Sequence, residues 1–234
     1  MDKAVMDKQA QKNYLALKKF ARQQGLDLFG VADISEMKKE FLLAPRVLVK
    51  LSRAVCIGAR AAQGVLEEIE SAPTRLYFYH YKTLNFFLDQ ASLRLGNYIQ
   101  NKGYLAIPIP ATQIVDWKTQ SAHLSHKKIG VTAGLGWIGR NNLLVNKEFG
   151  AQFRLATVLT DMPLTADQPL KEDCGACVLC LASCPAQAIK ENPADFQRQH
   201  CFEKLKDFNK QRLVDQYICG ACVNACAPKA KERL

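Results

Sequence analysis

The side chains best suited to chemistry in this sequence are cysteines, and they are gathered in its last third. Eight of the nine cysteines follow residue 165, and the segment CGACVLCLASCP spaces four of them as C-x2-C-x2-C-x3-C before Pro185. In bacterial ferredoxins this spacing lets three thiolates in a tight loop bind one [4Fe–4S] cluster, while the fourth binds a second cluster. The proline suits the first turn of a helix, which we expect to begin after the fourth cysteine. These four predicted ligands are Cys174, Cys177, Cys180 and Cys184.

Four later cysteines complete a set of eight ligands. A second CGAC segment mirrors the first, and the last cysteine is followed by Ala227 and Pro228. Two four-cysteine zinc sites are the alternative, since such sites also use C-x2-C pairs, but the C-x2-C-x2-C triplet favours clusters. The ferredoxin crossover predicts one cluster on Cys174, Cys177, Cys180 and Cys226, and the other on Cys184, Cys201, Cys219 and Cys222.

Length and cysteine distribution together predict the domain organisation. A chain of 234 residues suits one large domain, or a medium domain with a small annex. The rise in cysteine content places a boundary near residue 165, which gives predicted domains of residues 1–165 and 166–234. The ninth cysteine, Cys56, lies in an apolar stretch and is expected to be a small buried side chain.

The N-terminal sequence predicts a cytoplasmic protein with no membrane segment. The stretch MDKAVMDKQAQKNY lacks the apolar region of a signal peptide, and no apolar run is long enough to span a bilayer. Because thiols stay reduced in the cytosol, nine cysteines there indicate metal or redox chemistry before they indicate disulfides.

The charge balance bears on the partners of the chain. The formal net charge is +10, from 32 basic and 22 acidic residues. Two clusters, each contributing about −2 with its thiolates, would lower this charge to about +6. The basic residues are spread along the chain, which favours a mildly basic surface. RNA or an acidic redox donor is the alternative explanation of the charge.

The hydrophobic periodicity predicts a mixed α and β architecture. A hairpin is expected where two apolar segments flank a turn at residues 147–150. This mixture predicts an antiparallel or mixed sheet with helices around it. The pattern predicts helices over residues 4–24, 76–100 and 122–128, strands over residues 26–34, 51–60 and 104–110, and hairpin strands over residues 142–146 and 153–161.

A glycine-rich segment, AGLGWIGRN, matches the G-x-G-x-x-G pattern of dinucleotide-binding proteins, and Asp161 follows at a suitable distance. Its context disfavours that function, because the segment lacks a preceding apolar strand and a following crossover helix. Two explanations remain. The glycines either form a turn packed tightly against Trp137, or line a large flat cofactor that approaches the backbone closely.

The segment AGLGWIGRNNLLVNKEFGAQFRLATVLTDMPL, followed by eight cysteines in this order, resembles the epoxyqueuosine reductases, which are cobalamin-dependent relatives of the reductive dehalogenases. The resemblance runs from about Leu26 to Pro228. It implies an α+β fold, with a nitroreductase-like cobalamin-binding domain over residues 1–165 and a bacterial ferredoxin-like module with two [4Fe–4S] clusters over residues 166–234.

The resemblance also implies which residues contact the corrinoid. The segment YFYHYKTLN is similar to the tyrosine–histidine segment of the family. Together with the glycine-rich segment, it implies contacts from Tyr79, His80, Gly134, Leu135, Gly136, Trp137, Ile138, Gly139 and Asn141.

Two departures from the family pattern concern catalysis. The family carries its proton-donating aspartate near the position of Gln120, and an amide cannot serve as an acid. Asp116, His123 and His126 lie nearby and are the candidate donors, since a carboxyl or an imidazole can supply a proton. The chain also ends eight residues after Cys226, so we expect it to lack the helical-repeat tail that helps the family hold tRNA.

These observations lead to a ranked set of functional hypotheses. The leading one is a corrinoid-dependent iron–sulfur reductase, in which clusters pass single electrons to a cobalamin that reduces an unidentified substrate. Its partners would be a ferredoxin or flavodoxin type of one-electron donor, and a small molecule or corrinoid protein as substrate. A non-catalytic electron carrier that reactivates the corrinoid of another protein is the second hypothesis. A tRNA epoxyqueuosine reductase without its tail is the third, and it is less favoured.

Overall fold

The computed structural model describes residues 3–117 and 120–227. In those ranges the chain forms two compact units. The first, which we name the sheet unit, comprises Met1–Ala59, Asn85–Leu135 and Arg154–Leu170. The second, the cysteine unit, comprises residues 60–84, 136–153 and 171–234. The cysteine unit therefore includes two segments from before residue 165, in addition to the predicted C-terminal module.

Helices and short strands alternate along the described residues. The strands are β1 (Leu28–Asp33), β2 (Arg53–Arg60), β3 (Ala106–Ile109), β4 (Trp137–Ile138), β5 (Leu144–Val145) and β6 (Phe153–Thr160). The α-helices are α1 (Lys3–Gln23), α2 (Pro45–Leu48), α3 (Gln63–Glu67), α4 (Arg75–Gln100), α5 (His126–Thr132), α6 (Leu179–Ala182), α7 (Arg198–Lys210) and α8 (Ala221–Ala225). Short 3-10 helices lie at Lys38–Glu40 and Pro193–Asp195.

The sheet unit is built on a four-stranded sheet in the order β1-β2-β6-β3. β1 pairs antiparallel with β2, with Leu28 opposite Gly58, and β3 pairs antiparallel with β6, with Ala106 opposite Thr160. The two middle strands, β2 and β6, are buried along most of their length. Burial of consecutive residues requires cover on both faces of a sheet, because successive strand side chains point to opposite faces.

Helices α1 and α4 contribute fully buried apolar side chains to the core. Leu17 and Ala21 of α1 and Leu88 and Leu95 of α4 are all fully buried. These residues recur at helical spacing, so a single face of each helix is removed from water. α1 is followed by Gly25, whose φ of +80° is a left-handed conformation typical of helix C-termini.

The predicted helices and strands of the sheet unit are confirmed with small shifts. The helix expected over residues 122–128 begins later, at His126, because Ser125 is its N-cap and its hydroxyl accepts a hydrogen bond from the backbone of Lys128. Cys56 lies in β2 and is fully buried, which confirms its expected place in the core.

The predicted hairpin of residues 142–146 and 153–161 is wrong. β5 pairs with β4, whereas β6 joins the four-stranded sheet. The expected turn itself exists, since Asn146 and Gly150 exchange two backbone hydrogen bonds of 2.7 and 2.8 Å. This turn follows β5 of one sheet and precedes β6 of the other. The pattern of apolar residues did not indicate which strands pair with each other.

The cysteine unit has a small core of its own. Its buried residues come from α3, the first turns of α4, and the segment around α8. They are Ala61, Leu66, Ile69, Tyr77, Phe78, Tyr81, Val214, Ile218 and Ala221. Gly220 adopts a φ of +90° before α8, and a Cβ there would lie 2.7 Å from Ile69 and 2.8 Å from Tyr77. A glycine is therefore required where α8 meets this core.

The helix predicted to begin at Pro185 is absent. The described residues 183–190 form turns and irregular structure, and the short helix α6 precedes Cys184 instead. Gln187 takes a left-handed φ of +49°, and the backbone N–H of Ala188 donates to the sulfur of Cys184 at 3.4 Å. The chain turns around the thiol here. Pro228, noted in the sequence beside Cys226, lies outside the described residues.

None of the helices in the described part of the chain is both long enough and apolar enough to cross a membrane.

Candidate functional site

All eight cysteines that follow residue 165 lie in the cysteine unit as free thiols. Cys177 is exposed and Cys180 is buried, while the others are partly buried. Within residues 3–117 and 120–227, no group of three or more His, Cys, Asp or Glu side chains is arranged to hold a single metal ion.

Mutual electrostatic effects divide these thiols into two sets. The pKa of Cys226 is raised to about 11, first by burial and then by the neighbouring thiols Cys180, Cys174 and Cys177. Burial likewise raises the pKa of Cys180, with Cys174 and Cys177 as the next causes. The first set, which we name the first quartet, is therefore Cys174, Cys177, Cys180 and Cys226.

The remaining four thiols interact in the same way. Burial raises the pKa of Cys201 to about 11, with added effects from Cys184 and Cys219. Burial raises the pKa of Cys222 well above its ordinary value, and Cys219, Cys201, Cys184 and Cys180 follow as causes. We name Cys184, Cys201, Cys219 and Cys222 the second quartet. A metal bound to either quartet must displace thiol protons, because the thiolate is the ligand.

The hairpin of β4 and β5 packs against the loops that carry these cysteines. A Cβ added to Gly139 would lie 3.4 Å from the sulfur of Cys174. The side chain of Asn141 is buried, and its amide donates to the carbonyl of Cys222 at 3.5 Å. The backbone N–H of Ala151 donates to the carbonyl of Cys226 at 3.0 Å. No local pattern in the sequence indicated this arrangement, which places Gly139 and Asn141 beside the cysteines.

Arg140 makes the most extensive contact between the hairpin and a cysteine loop. Its Nη2 donates to the carbonyl of Gly175 at 2.9 Å, its Nη1 to that of Cys177 at 2.8 Å, and its Nε to that of Glu191 at 2.7 Å. Arg140 is far from the cysteine motif in the sequence, so no local pattern indicates this contact.

The three glycines of the G-x-G-x-x-G pattern are explained by packing against the chain itself. In the sheet unit, a Cβ on Gly134 would lie 2.5 Å from the carbonyl oxygen of Gln168. In the cysteine unit, a Cβ on Gly136 would clash with the carbonyl of Val145, and one on Gly139 would lie 2.5 Å from the Val145 side chain. The space beside these glycines is filled by protein atoms, so the close approach that they permit is between segments of this chain.

The other residues of the glycine-rich segment have different surroundings. Leu135 is buried in the sheet unit. Ile138 pairs with Leu144, and Trp137 pairs with Val145 across the small hairpin. The indole Nε1 of Trp137 is buried and has no hydrogen-bond partner among the described residues. A buried donor of this kind fits an acceptor atom supplied by a bound group.

Tyr79 and His80 lie in the first turns of α4, within the cysteine unit. The Tyr79 side chain is 63% exposed and lines a cavity of about 70 Å³ with Arg75 and Arg212. The Nε2 of His80 accepts a hydrogen bond of 3.0 Å from the backbone of Ala62. Burial lowers the pKa of His80, which favours the neutral imidazole that this bond requires.

The three candidate proton donors belong to the sheet unit and have different surroundings. His126 donates from Nε2 to the carbonyl of Pro110 and accepts at Nδ1 from the Thr157 hydroxyl, both at 2.8 Å. Burial of its ring lowers the pKa of His126 to about 4, although the residue as a whole keeps some accessible surface. Its imidazole is neutral at pH 7 and both nitrogens are engaged, which disfavours it as a donor.

His123 and Asp116 lie on the loop that precedes α5. The Nδ1 of His123 donates to the carbonyl of Leu42 at 2.9 Å, which fixes the orientation of the ring. Asp116 is exposed, and its backbone forms a bridge with Ser121. Gln120 takes a left-handed φ of +52° on the same loop.

Sequence comparison finds similarity to several epoxyqueuosine reductases, although no protein-family model matches. The epoxyqueuosine reductase of Escherichia coli (strain K12) is 41% identical over 85 residues, which are 36% of this chain and span 22% of the length of that protein. The epoxyqueuosine reductase of Cyclobacterium marinum is 26% identical over 253 residues, covering 92% of this chain and 79% of that protein.

Solved structures with a similar fold belong to two kinds of enzyme. An epoxyqueuosine reductase bound to a tRNA-Tyr epoxyqueuosine-modified stem loop aligns with a TM-score of 0.65 and 20% identity over 92% of this chain and 64% of that chain. A reductive dehalogenase, whose structure suggests a mechanism for B12-dependent dehalogenation, aligns with a TM-score of 0.67 and 17% identity over 78% of this chain and 26% of that chain.

The fold is therefore the one that epoxyqueuosine reductases and reductive dehalogenases share. Within that class, the sequence similarity is to the epoxyqueuosine reductases, and the resemblance seen in the sequence is confirmed.

Proposed function

We propose that this chain is a corrinoid-dependent iron–sulfur reductase of the epoxyqueuosine reductase-like group. In this proposal, two [4Fe–4S] clusters pass single electrons to a cobalamin, which reduces an unidentified substrate. One observation carries the proposal. Eight thiols divide into two quartets in a chain whose fold is shared by epoxyqueuosine reductases and a reductase of B12-dependent chemistry.

The clusters would be bound by the two quartets defined above. The loop from Cys174 to Cys180 would supply three ligands of one cluster, and Cys226 the fourth. The pattern of mutual pKa effects supports this partition, since burial is the first cause of each raised thiol pKa and the cysteines named after it belong, with the exception of Cys180 acting on Cys222, to the same quartet. Residues 166–234 would then act as a ferredoxin-like module, and residues 1–165 as a nitroreductase-like domain.

The cobalamin would be contacted by the residues around the glycine-rich segment. Trp137 fits this role best, because its buried indole N–H has no partner in the described ranges and can donate to an acceptor on the cofactor. The glycines fit it less well, since protein atoms fill the space beside them. Tyr79 and His80 stay predictions. When bound, the corrinoid would supply a cobalt centre that takes up single electrons and reduces a substrate.

A proton for the reduction would come from His123 or Asp116. The Nδ1 of His123 donates to the carbonyl of Leu42, so its Nε2 is the ring atom that would exchange a proton with a substrate. Asp116 is an exposed carboxyl on the same loop. We assign His126 a structural function, because its two hydrogen bonds join the start of α5 to β6 and to Pro110.

Two proposed partners follow from the chemistry and the charge. Reduction requires an external one-electron donor of the ferredoxin or flavodoxin type, and the proposed substrate is a small molecule or a corrinoid protein. A tRNA substrate is the alternative, supported by the relative that holds a tRNA stem loop and by the net charge of +10. It predicts tRNA binding that weakens steeply as salt is raised, measured by filter binding from about 50 to 200 mM.

Cofactor retention tests the proposal. Protein purified without oxygen, reconstituted with iron and sulfide and mixed with cobalamin should keep about one corrinoid per chain after gel filtration, as read from the visible spectrum. Trp137→Phe should bind cobalamin about tenfold more weakly, because it loses one hydrogen-bond donor worth roughly 1–2 kcal/mol. Trp117→Phe, at an exposed position, is the matched control. Intact clusters without cobalamin retention would instead support an electron carrier.

A further inference from the structure

Arg140 stands at the tip of the β4–β5 hairpin, where the backbone leaves little freedom. The N–H of Gly139 donates to the carbonyl of Leu143, and the N–H of Asn142 donates to the carbonyl of Gly139, both at 2.9 Å. Asn142 takes a left-handed φ of +58°, which asparagine tolerates better than most residues. This tight turn fixes the position from which the arginine side chain extends.

The guanidinium of Arg140 is bound to the loop of the first quartet at two peptide groups. The carbonyls of Gly175 and Cys177 both accept from it, at 2.9 and 2.8 Å. Because peptide groups are planar and trans, these bonds also fix the N–H groups of Ala176 and Val178, which point away from the arginine. N–H groups of such loops can donate to cluster sulfurs, and those bonds contribute to the reduction potential.

The positive charge of Arg140 lies beside the first quartet in particular. It binds the carbonyl of Cys177, a member of that quartet, and the carbonyl of Gly175, which directly follows Cys174. Its third bond is to the carbonyl of Glu191, so among the described residues none of its hydrogen bonds reaches a cysteine of the second quartet. The arginine therefore lies next to one of two sets of thiols that are chemically alike.

We propose that Arg140 is a positioning residue that raises the reduction potential of the cluster bound by the first quartet relative to the other cluster. This inference rests on the proposed function, since it requires both clusters. Reduction adds one electron and hence one negative charge to a cluster, and a fixed cation nearby stabilises that reduced state. The hydrogen bonds to the carbonyls of Gly175 and Cys177 hold the guanidinium and the cysteine loop in one arrangement.

Redox titration of the reconstituted protein, followed by electron paramagnetic resonance, tests the proposal. Arg140→Gln should shift the reduction equilibrium of the first cluster about tenfold toward the oxidised form, which is about 59 mV for one electron, and leave the second cluster unchanged. Arg140→Lys keeps the charge and should restore at least half of that shift. Arg75→Gln removes an exposed arginine from the same unit and should change neither potential.

The outcomes separate this inference from the proposed function. A wild-type protein without eight irons would contradict the clusters themselves. Eight irons with unchanged potentials in Arg140→Gln would overturn the role of the arginine, and so would an equal shift in the lysine variant. If Arg140→Gln loses iron, loss confined to the signal of the first cluster supports the proposal, whereas loss of the second cluster overturns it.

Discussion

Single cysteine residues differ in this protein mainly through their burial and their neighbours. Cys177 is exposed on its loop, whereas burial raises the pKa of Cys222 far above the ordinary thiol value. Both thiols can still bind a cluster, because a bound cluster requires thiolates and cluster binding releases the thiol protons. The spacing of the sequence predicted the eight residues. It also predicted their partition into two sets of four, whereas the burial of each thiol is visible only in the folded arrangement.

Substitution of single ligands tests the partition between the quartets. Cys184→Ser should abolish the signal of the second cluster and spare the first, and Cys177→Ser should do the reverse, because each removes one ligand of four. Electron paramagnetic resonance of the reduced variants gives the answer. Loss of the same signal in both variants would show that Cys184 and Cys177 share a cluster.

Cys56 provides a test of burial that is independent of metal. Burial raises its pKa to about 12, so the folded protein holds this thiol proton more tightly than the unfolded chain, whose cysteines titrate near 8.5. The resulting stabilisation is complete below about pH 8.5 and is lost as the pH rises toward 12, at up to about 1.4 kcal/mol per pH unit. The thermal midpoints of wild type and Cys56→Ala should therefore converge between pH 8 and 11. A constant difference between them would contradict the assignment.

At the scale of elements, long amphipathic helices and apolar strands were predictable, and pairing was not. The helix α4 and the strands β1 and β2 were predicted from the spacing of apolar residues, because these residues form the buried side of each element. The pairing of β5 with β4 was missed because both strands have only two residues. Such strands are held by glycine packing and by contacts with the cysteine loops, which are separated from them in sequence.

The tight packing of the glycines predicts that adding a methyl group at Gly136, beside β4, lowers the stability of the protein. Gly136→Ala should destabilise the protein by about 2–4 kcal/mol, because its Cβ would clash with the carbonyl of Val145. Gly64→Ala is the control, since Gly64 is exposed on helix α3 and its Cβ would meet no atom within 4 Å. Alanine there should stabilise by up to about 1 kcal/mol. Thermal unfolding measures both, and equal effects of the two substitutions would contradict this explanation of the hairpin.

At the scale of the whole molecule, the sequence predicted the family resemblance and the α+β class, whereas the division into units needed the structure. Residues 60–84 and 136–153 belong to the cysteine unit, although they precede the cysteine-rich segment. Their inclusion follows from contacts such as those of Gly220 with Ile69 and Tyr77, which no local pattern encodes. The cysteine content of the sequence indicated only where the segment with the predicted cluster ligands begins.

The most direct test of the account is the metal content of the intact chain. Protein purified and reconstituted without oxygen should contain eight irons and eight acid-labile sulfides per chain, measured by elemental and sulfide analysis, and less than a tenth of an equivalent of zinc. Two zinc ions per chain, or thiols that hold no metal under these conditions, would contradict the claim that the two quartets bind iron–sulfur clusters.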